Sequence, residues 1–361
     1  MNSVSENEIF DIAIVGLGPA GATFARLLAP RFKVAAFDMK KSDPSETGFR
    51  KPCGGLLAED AQLALSRQGL TLPNSVLADP QIFAVKTIDL EQNLVRTYRR
   101  FYINMDRHKF DLWLKSLVPA NVEKHDNARV KKISRERGGI WEISFRENGA
   151  DKTLRARAIV GADGAASTVR RTLFPRHEIR SYTAIQQWFA DAQSAPLYAC
   201  FFDSRLTDSY GWAISKDGQL VFGAAFPREN SARAYELLRE RVAAFGFVLE
   251  KPLRTEACQV LRPERMSDFK IGAAGAFLLG EAAGFISPSS LEGMSYALDS
   301  AKMLAETFNA QSEFSPADAL ADYAKRTRKI RLKLMSKILK NPFMYNPRLR
   351  ALVMKSGITA I

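Results

Sequence analysis

Residues Asp11 to Gly21 read Asp-Ile-Ala-Ile-Val-Gly-Leu-Gly-Pro-Ala-Gly, and an acid, Asp38, stands 20 residues after Gly18. Ile12 to Val15 form an unbroken apolar run, the pattern of a parallel strand buried on both faces. Gly16 and Gly18 permit a tight turn and a close backbone approach to a pyrophosphate, and Gly21 lets the following helix pack against the strand. Pro19 falls in the first helical turn, where a missing N–H is harmless and the helix N-terminus faces the phosphates. A second apolar strand, Val34 to Phe37, ends at Asp38, which can accept from ribose hydroxyls. Strand, helix, strand and acid at these spacings predict a dinucleotide site at the start of the chain.

Composition bounds what surrounds that site. The 361 residues are 46% hydrophobic, which predicts a large core divided between two domains. The polar, acidic run Met1 to Glu8 shows no secretory signal, and no stretch reaches about 18 uninterrupted apolar residues, so no transmembrane helix is expected. Cys53, Cys200 and Cys258 are odd in number and widely spaced, which suggests reduced thiols in a cytoplasmic protein. His108, His125 and His177 are scattered, and no metal constellation is seen. The formal charge of +13 invites nucleic acid, but no recognition motif accompanies it and much of the excess lies near the C-terminus.

Along the chain, a loop from Ser42 to Pro52 leads into Lys51-Pro52-Cys53-Gly54-Gly55, then a helical stretch from Ala58 to Gln68. Strands are expected within Gln81–Arg100 and over Ile140–Phe145. A helix is expected from Asp106 to Leu117 with Phe110, Trp113, Leu114 and Leu117 on one face. The buried strand Ala158–Val160 runs into Gly161-Ala162-Asp163-Gly164. Strand-like segments from Tyr182 to about Val260 surround a helix near Ala232–Phe245. Ala276–Leu279 is a further buried strand, followed by Gly280-Glu281-Ala282-Ala283-Gly284-Phe285 and a helix from about Leu291 to Phe308. From about Ala317 the chain reads as basic helix. The division expected is 1–80, 101–175 and 265–315 for the dinucleotide domain, 81–100 and 176–264 for a substrate domain, and 316–361 for a C-terminal segment.

Three glycine-bearing motifs at these separations resemble the FAD-binding fold of the para-hydroxybenzoate hydroxylase type, over nearly the whole chain. Asp163-Gly164 matches its second motif, and Gly280-Glu281 takes the place of its third, usually Gly-Asp. Lys51-Pro52-Cys53-Gly54-Gly55 is similar to the Cys-Gly-Gly segment of geranylgeranyl reductase-like flavoproteins, and Tyr210 to Lys216 to their Tyr-x-Trp-x-Phe-Pro-Lys segment. Lys-Pro-Cys-Gly-Gly-Leu-Leu (Lys51–Leu57) and Gly-Glu-Ala-Ala-Gly-Phe-Ile-Ser (Gly280–Ser287) resemble the CbrA-type branch of that group. Glu281 departs by one methylene from the usual aspartate, and Ser215 replaces a proline. The architecture implied is α/β: a Rossmann-like FAD-binding domain, a β-sheet substrate domain and C-terminal helices.

The resemblance implies that Gly16, Gly18, Ala20 and Gly21 hold the FAD pyrophosphate and Asp38 the adenosine ribose. It places Arg107, Val130, Asp163, Gly164, Gly280 and Glu281 against the cofactor, with Glu281 at the ribityl chain. Backbone N–H groups near Gly293 and Met294, at a helix start, would stabilise negative charge on the reduced flavin. Cys53 is the candidate for chemistry outside the flavin, as proton donor or as cavity lining. Gly54, Gly55, Gln187, Tyr210, Trp212 and Pro288 are expected to line the substrate site, with Lys216 at its mouth. Gln186 and Trp188 share the Gln187 strand. Glu292 is a candidate proton donor, but Ser289-x-x-Glu292 also forms a capping box, and the cap, in which the carboxylate serves the backbone, is the favoured reading.

The implied activity is FAD-dependent reduction of carbon–carbon double bonds in a polyprenyl or other apolar chain. The alternatives are a flavin monooxygenase acting on an aromatic or quinone-like ring, and a non-catalytic FAD-bound partner protein. Halogenation is disfavoured, because Tyr210 stands where the paired-tryptophan motif requires its first tryptophan. No second G-x-G-x-x-G exists, so electrons would come from transiently bound NAD(P)H or from an electron-donor protein. Basic residues between Lys325 and Lys340 interleave with Ile330, Leu332, Leu334, Met335, Ile338 and Leu339, and no acid follows Asp322. Such a helix suits an anionic membrane surface on the cytoplasmic side or an acidic partner, and the plain alternative is a packed C-terminal helix with a solvated basic face.

Overall fold

The computed structural model describes residues 8–42, 49–191 and 197–357. The polar N-terminal residues before Glu8, and residues 43–48 of the expected Ser42–Pro52 loop, lie outside them. The apolar run that opens the chain forms the strand Ile9–Val15, wholly buried from Ile12. It pairs in parallel with Val34–Phe37 on one side and Ala150–Gly161 on the other. Val122–His125 extends one edge of this sheet and Ala276–Leu278 the other, both in parallel. An antiparallel hairpin, Ala128–Arg135 with Trp141–Glu147, grows from Ala150–Gly161.

Each face of this first sheet carries a core. On one face Ile12, Ile14 and Val160 pack against Phe24, Phe110, Leu298 and Phe308 from three helices. On the other, Phe10, Ala13 and Ile159 pack against Trp141 and Phe145 of the hairpin and against Ile330 and Leu334 of the C-terminal region. Burial on both faces is what a run of Ile, Val and Ala without polar alternation requires.

The second sheet runs Arg254–Leu261, Ser181–Ala190, Gln219–Pro227, Gly211–Lys216, Tyr198–Phe202, Ile82–Asp89, Leu94–Asn104, Leu56–Leu57. It is antiparallel except where Tyr198–Phe202 meets Ile82–Asp89. The helix Ser231–Ala243 covers one face through Tyr235, Leu238 and Val242. The other face carries Val85, Tyr198, Ile214 and Val221, with Tyr102 and Trp212 packed on them, and it looks toward the first sheet's strand ends. The α/β architecture expected from the sequence is therefore the one adopted, with C-terminal helices over Pro316–Arg326, Arg328–Ile338 and Pro347–Ser356.

Those helices are anchored. Tyr323 donates its hydroxyl to the Leu278 carbonyl at 3.0 Å, and fully buried Arg350 donates to Asp89 at 2.8 Å. Local expectations shift at four elements. Val122–His125 and Ala128–Arg135 are strands the sequence did not announce, and Ala150–Gly161 is far longer than Ala158–Val160. The helix expected from Leu291 begins at Met294, because Leu291 adopts a left-handed φ of +54°.

Candidate cofactor cleft and its apolar extension

The glycine motif is built by close approach. Gly16 has a φ of +95°, and a Cβ there would come within 2.6 Å of the Ala162 carbonyl oxygen. A Cβ on Gly21 would lie 1.8 Å from the Gly16 carbonyl oxygen, so only glycine lets the Pro19–Leu27 helix start against its strand. Gly18 is different: a Cβ would meet nothing within 4 Å, because its backbone faces an open cleft. That cleft has a volume of about 780 Å³ and runs from Gly16, Gly18 and Asp38, past Arg107, Asp163 and Glu281, to Tyr210 and Trp212.

The residues present fit an FAD on three counts. Gly18 opens the cradle where a pyrophosphate needs room. Asp163 is held by the backbone N–H of Thr168 on Oδ2 at 2.7 Å, while its buried Oδ1 has no protein partner. Burial pushes its carboxyl pKa up, against hydrogen bonds from Ser167 and Thr168 that pull it down. The Met294–Asn309 helix begins at Gly293 with no side-chain cap, so its first N–H groups are free to meet an electron-rich ring edge.

Two expected acids are already engaged by the protein. Asp38 is buried, with Lys115 Nζ 3.3 Å from Oδ2 and the Lys40 N–H donating to Oδ1 at 3.2 Å. Glu281 spans the two sheets: Oε2 accepts from Lys51 Nζ at 2.8 Å and Oε1 from the Leu261 N–H at 3.0 Å. Burial works against the Lys51 charge, but the Glu281 carboxylate outweighs it and holds the ammonium above its ordinary pKa. Arg107 is locked by Asp111 at 2.7 Å; burial opposes its charge, and Asp111 with Cys53 more than restores it.

The Cys-Gly-Gly turn closes the middle of the cleft. Gly55 has a φ of +68°, and a Cβ there would meet the Met105 carbonyl oxygen at 2.2 Å. Its N–H donates to Cys53 Sγ at 3.4 Å, and Cys53 faces the cleft. Cys258 also lines the cleft, its Sγ 3.7 Å from the Pro52 carbonyl of this turn and its thiol pushed up to about 11 by burial. Beyond the turn the walls are apolar and aromatic: Trp212 sits in the space left by Gly223, and Tyr210 packs on it at 6.0 Å. The Tyr210 hydroxyl donates to the Ser290 carbonyl at 2.6 Å.

Some expected site residues stand elsewhere. Gln187 points away from the cleft, because alternation along Ser181–Ala190 turns Gln186 inward instead; Gln187 donates to Thr255 Oγ1 at 3.2 Å. Pro288 is buried but does not line the cleft, and Gly280 lies behind it with its N–H on Ser300 Oγ at 3.0 Å. Gly21 serves helix packing and does not line the cleft either. Lys216 is not at the mouth: it is buried and donates to the Met105 and Gly55 carbonyls, and burial brings its pKa down to about 8. Glu292 is no cap, since its carboxylate accepts from Tyr102 and Ser290 side chains. Gly16, Gly18, Ala20, Asp38, Arg107, Val130, Asp163, Gly164, Glu281, Gly293 and Met294 are brought together along one cleft with Cys53, Gly54, Gly55, Tyr210 and Trp212. Sequence reasoning missed Lys115, Lys51 as an ion-pair partner, and the Tyr102–Glu292 contact. Each joins elements far apart in the chain, and no local pattern marks such a pairing.

No general protein-family model matches the chain. Solved structures similar to it include a geranylgeranyl bacteriochlorophyll reductase-like protein from Thermoplasma acidophilum, with TM-score 0.79, 18% identity, and 98% of this chain and 93% of that one covered. Another is p-nitrophenol 4-monooxygenase PnpA from Pseudomonas putida, with TM-score 0.72, 16% identity and coverages of 97% and 94%. Likeness at that identity establishes the fold, that of FAD-dependent oxidoreductases and monooxygenases. Among curated proteins, Protein CbrA of Escherichia coli O9:H4 (strain HS) is 51% identical over 354 residues, 98% of this chain and 95% of that protein. Protein CbrA of Shigella flexneri serotype 5b (strain 8401) matches equally. Identity of that order over essentially the full length of both chains, on a cleft of this shape, means that the chain belongs to the CbrA family.

Proposed function

We propose that the chain binds FAD in the cleft and reduces carbon–carbon double bonds of a polyprenyl or other apolar substrate. The observation that carries this reading is the continuation of the dinucleotide cleft, past Cys53, into walls of Tyr210, Trp212, Ile214 and Ile286. A substrate there would meet hydrocarbon and ring faces and few charges, the lining expected of an apolar ligand site. The likeness to a reductase-like protein supports it further. The bound cofactor supplies hydride in this reading, and oxygen chemistry in the alternative below.

The chain's own residues have defined tasks. The Gly16–Gly18 turn and the start of the Pro19–Leu27 helix hold the pyrophosphate by backbone N–H groups. Asp38 fixes the adenosine ribose, Arg107 beside Cys53 reaches the cofactor from the cleft wall, and Asp163 accepts a polar contact on its open oxygen. Gly293 and Met294 place helix-start N–H groups where electron density grows on reduction. Cys53 lines the substrate side of the cleft as a small, soft contact. Electrons are proposed to arrive from transient NAD(P)H or from a donor protein.

A second reading is a monooxygenase acting on an aromatic or quinone-like ring, favoured by the likeness to PnpA. The test is made on purified protein whose FAD is identified after denaturation. Chemically reduced protein is mixed with geranylgeraniol in the strict absence of oxygen, and products are weighed by mass spectrometry. A gain of two hydrogens per turnover is the expected result. Turnover that needs oxygen and adds an oxygen atom to an aromatic probe would replace the reductase reading with the monooxygenase.

A further inference from the structure

Glu292 stands where two cavities meet. One is the cofactor cleft; the other, about 730 Å³, lies between the second sheet and the C-terminal helices, with Arg100, Lys340 and Phe343 in its walls. Glu292, Tyr198, Tyr210 and Ser290 line both. Its carboxylate accepts from the Tyr102 hydroxyl at 3.2 Å and from Ser290 Oγ at 2.9 Å. A helix-capping carboxylate would fold back on backbone N–H groups; here the left-handed Leu291 carries the chain away from that geometry. A side chain branched at γ is disfavoured at this left-handed φ, and such strain persists where the surroundings over-determine it.

We propose that Glu292 is a catalytic residue, the acid that protonates the substrate carbon, and that it is reloaded from the second cavity through Tyr102. This rests on the reductase reading. Saturating one double bond takes one hydride and one proton: hydride forms the first C–H bond, and the displaced π pair takes the Glu292 proton to form the second. Glu292 is left as carboxylate and recovers a proton from water by way of the Tyr102 hydroxyl.

The surroundings favour the protonated form of this carboxyl. Burial is the dominant influence and pushes the Glu292 pKa up. Lys337, from the Arg328–Ile338 helix, and the Ser290 and Tyr102 hydroxyls pull it down, while Asp60 of the Glu59–Ser66 helix pushes it up. Tyr210 and Tyr296 face it as neutral phenols, each raised by its own burial. Tyr198, raised by burial, Cys200, raised to about 12 by burial, Arg100 and Lys340 are the other titratable groups around it. Cys53 lines the cleft but not the second cavity.

The test uses FAD-loaded protein, reduced with dithionite under argon, in single turnovers of geranylgeraniol across a pH series. In the wild type the rate should fall as pH rises through the Glu292 pKa, since only the acid form donates. Glu292→Gln should slow product formation about 100-fold or more and erase that limb, with FAD content and flavin reduction unchanged. Lys337→Met removes a cation that favours the carboxylate, so the limb should move to higher pH. Infrared spectra of FAD-loaded and FAD-stripped protein give a readout without turnover: a carboxylic C=O band absent from Glu292→Gln and titrating with the limb. Turnover by Glu292→Gln at the wild-type rate, an unmoved limb in Lys337→Met, or no such band each overturns the assignment and leaves the reductase reading standing. No oxygen-free turnover by the wild type removes the reductase reading and this assignment with it.

Discussion

Gly18 and Gly21 are three residues apart and opposite in what they tolerate. A methyl group on Gly21 would collide with the Gly16 carbonyl, whereas one on Gly18 would project into open cleft. Gly21→Ala should therefore destabilise the cofactor-free protein by about 3 kcal/mol, the upper range for overpacking, read from its denaturation midpoint. Gly18→Ala should leave that midpoint within about 0.5 kcal/mol yet lower FAD retention at least tenfold, measured by flavin release. A Gly18→Ala protein that keeps full FAD would show that the pyrophosphate does not pass this turn. Individual roles of this kind were legible because they depend on neighbours within a few residues. Asp38 was legible as the acid ending a strand, but its Lys115 partner was not, since Lys115 reaches it from the Arg107–Ser116 helix.

Elements were legible where one periodicity ruled. The buried strands at Ile12, Val34 and Ala158 announce themselves because both faces are apolar. Ala128–Arg135 did not, because it is a half-exposed hairpin strand whose outward positions are lysine and arginine. Ser289-x-x-Glu292 misled because the motif was intact while its backbone was not helical. The C-terminal helices show the same limit: their basic face is plain in sequence, but their attachment through Arg350 is not. Arg350 is 1% exposed at its side chain and pairs with Asp89, which is wholly buried. Arg350→Met leaves Asp89 without its cation and should cost about 3–5 kcal/mol. Limited proteolysis should then cut first between Lys340 and Pro347, where the wild type resists. Unchanged protease resistance would mean that Arg350 does not hold the Pro347–Ser356 helix in place.

At the scale of the molecule, charge and shape are uneven. Among the described residues no helix is long and apolar enough to cross a membrane. Leu332, Leu339 and Phe343 are nonetheless exposed beside a run of lysines and arginines without acids after Asp322. We propose that this face rests on anionic lipid. The protein should co-sediment with vesicles containing phosphatidylglycerol, release as salt rises, and ignore phosphatidylcholine; equal binding to both lipids would discard the idea. The two-sheet plan has another consequence, which concerns synthesis. Leu56 and Leu57 leave the first sheet's sequence neighbourhood to pair with Ile103 and Asn104 in the second, and Ala276–Leu278 returns to complete the first only after the second is finished. A ribosome must therefore release the chain through Leu261 before the second sheet can close and through Leu278 before the first can, and long-range pairing of this kind is slow. The emerging chain waits with its sheet edges open, a state prone to aggregation that a protein whose halves fold in turn avoids.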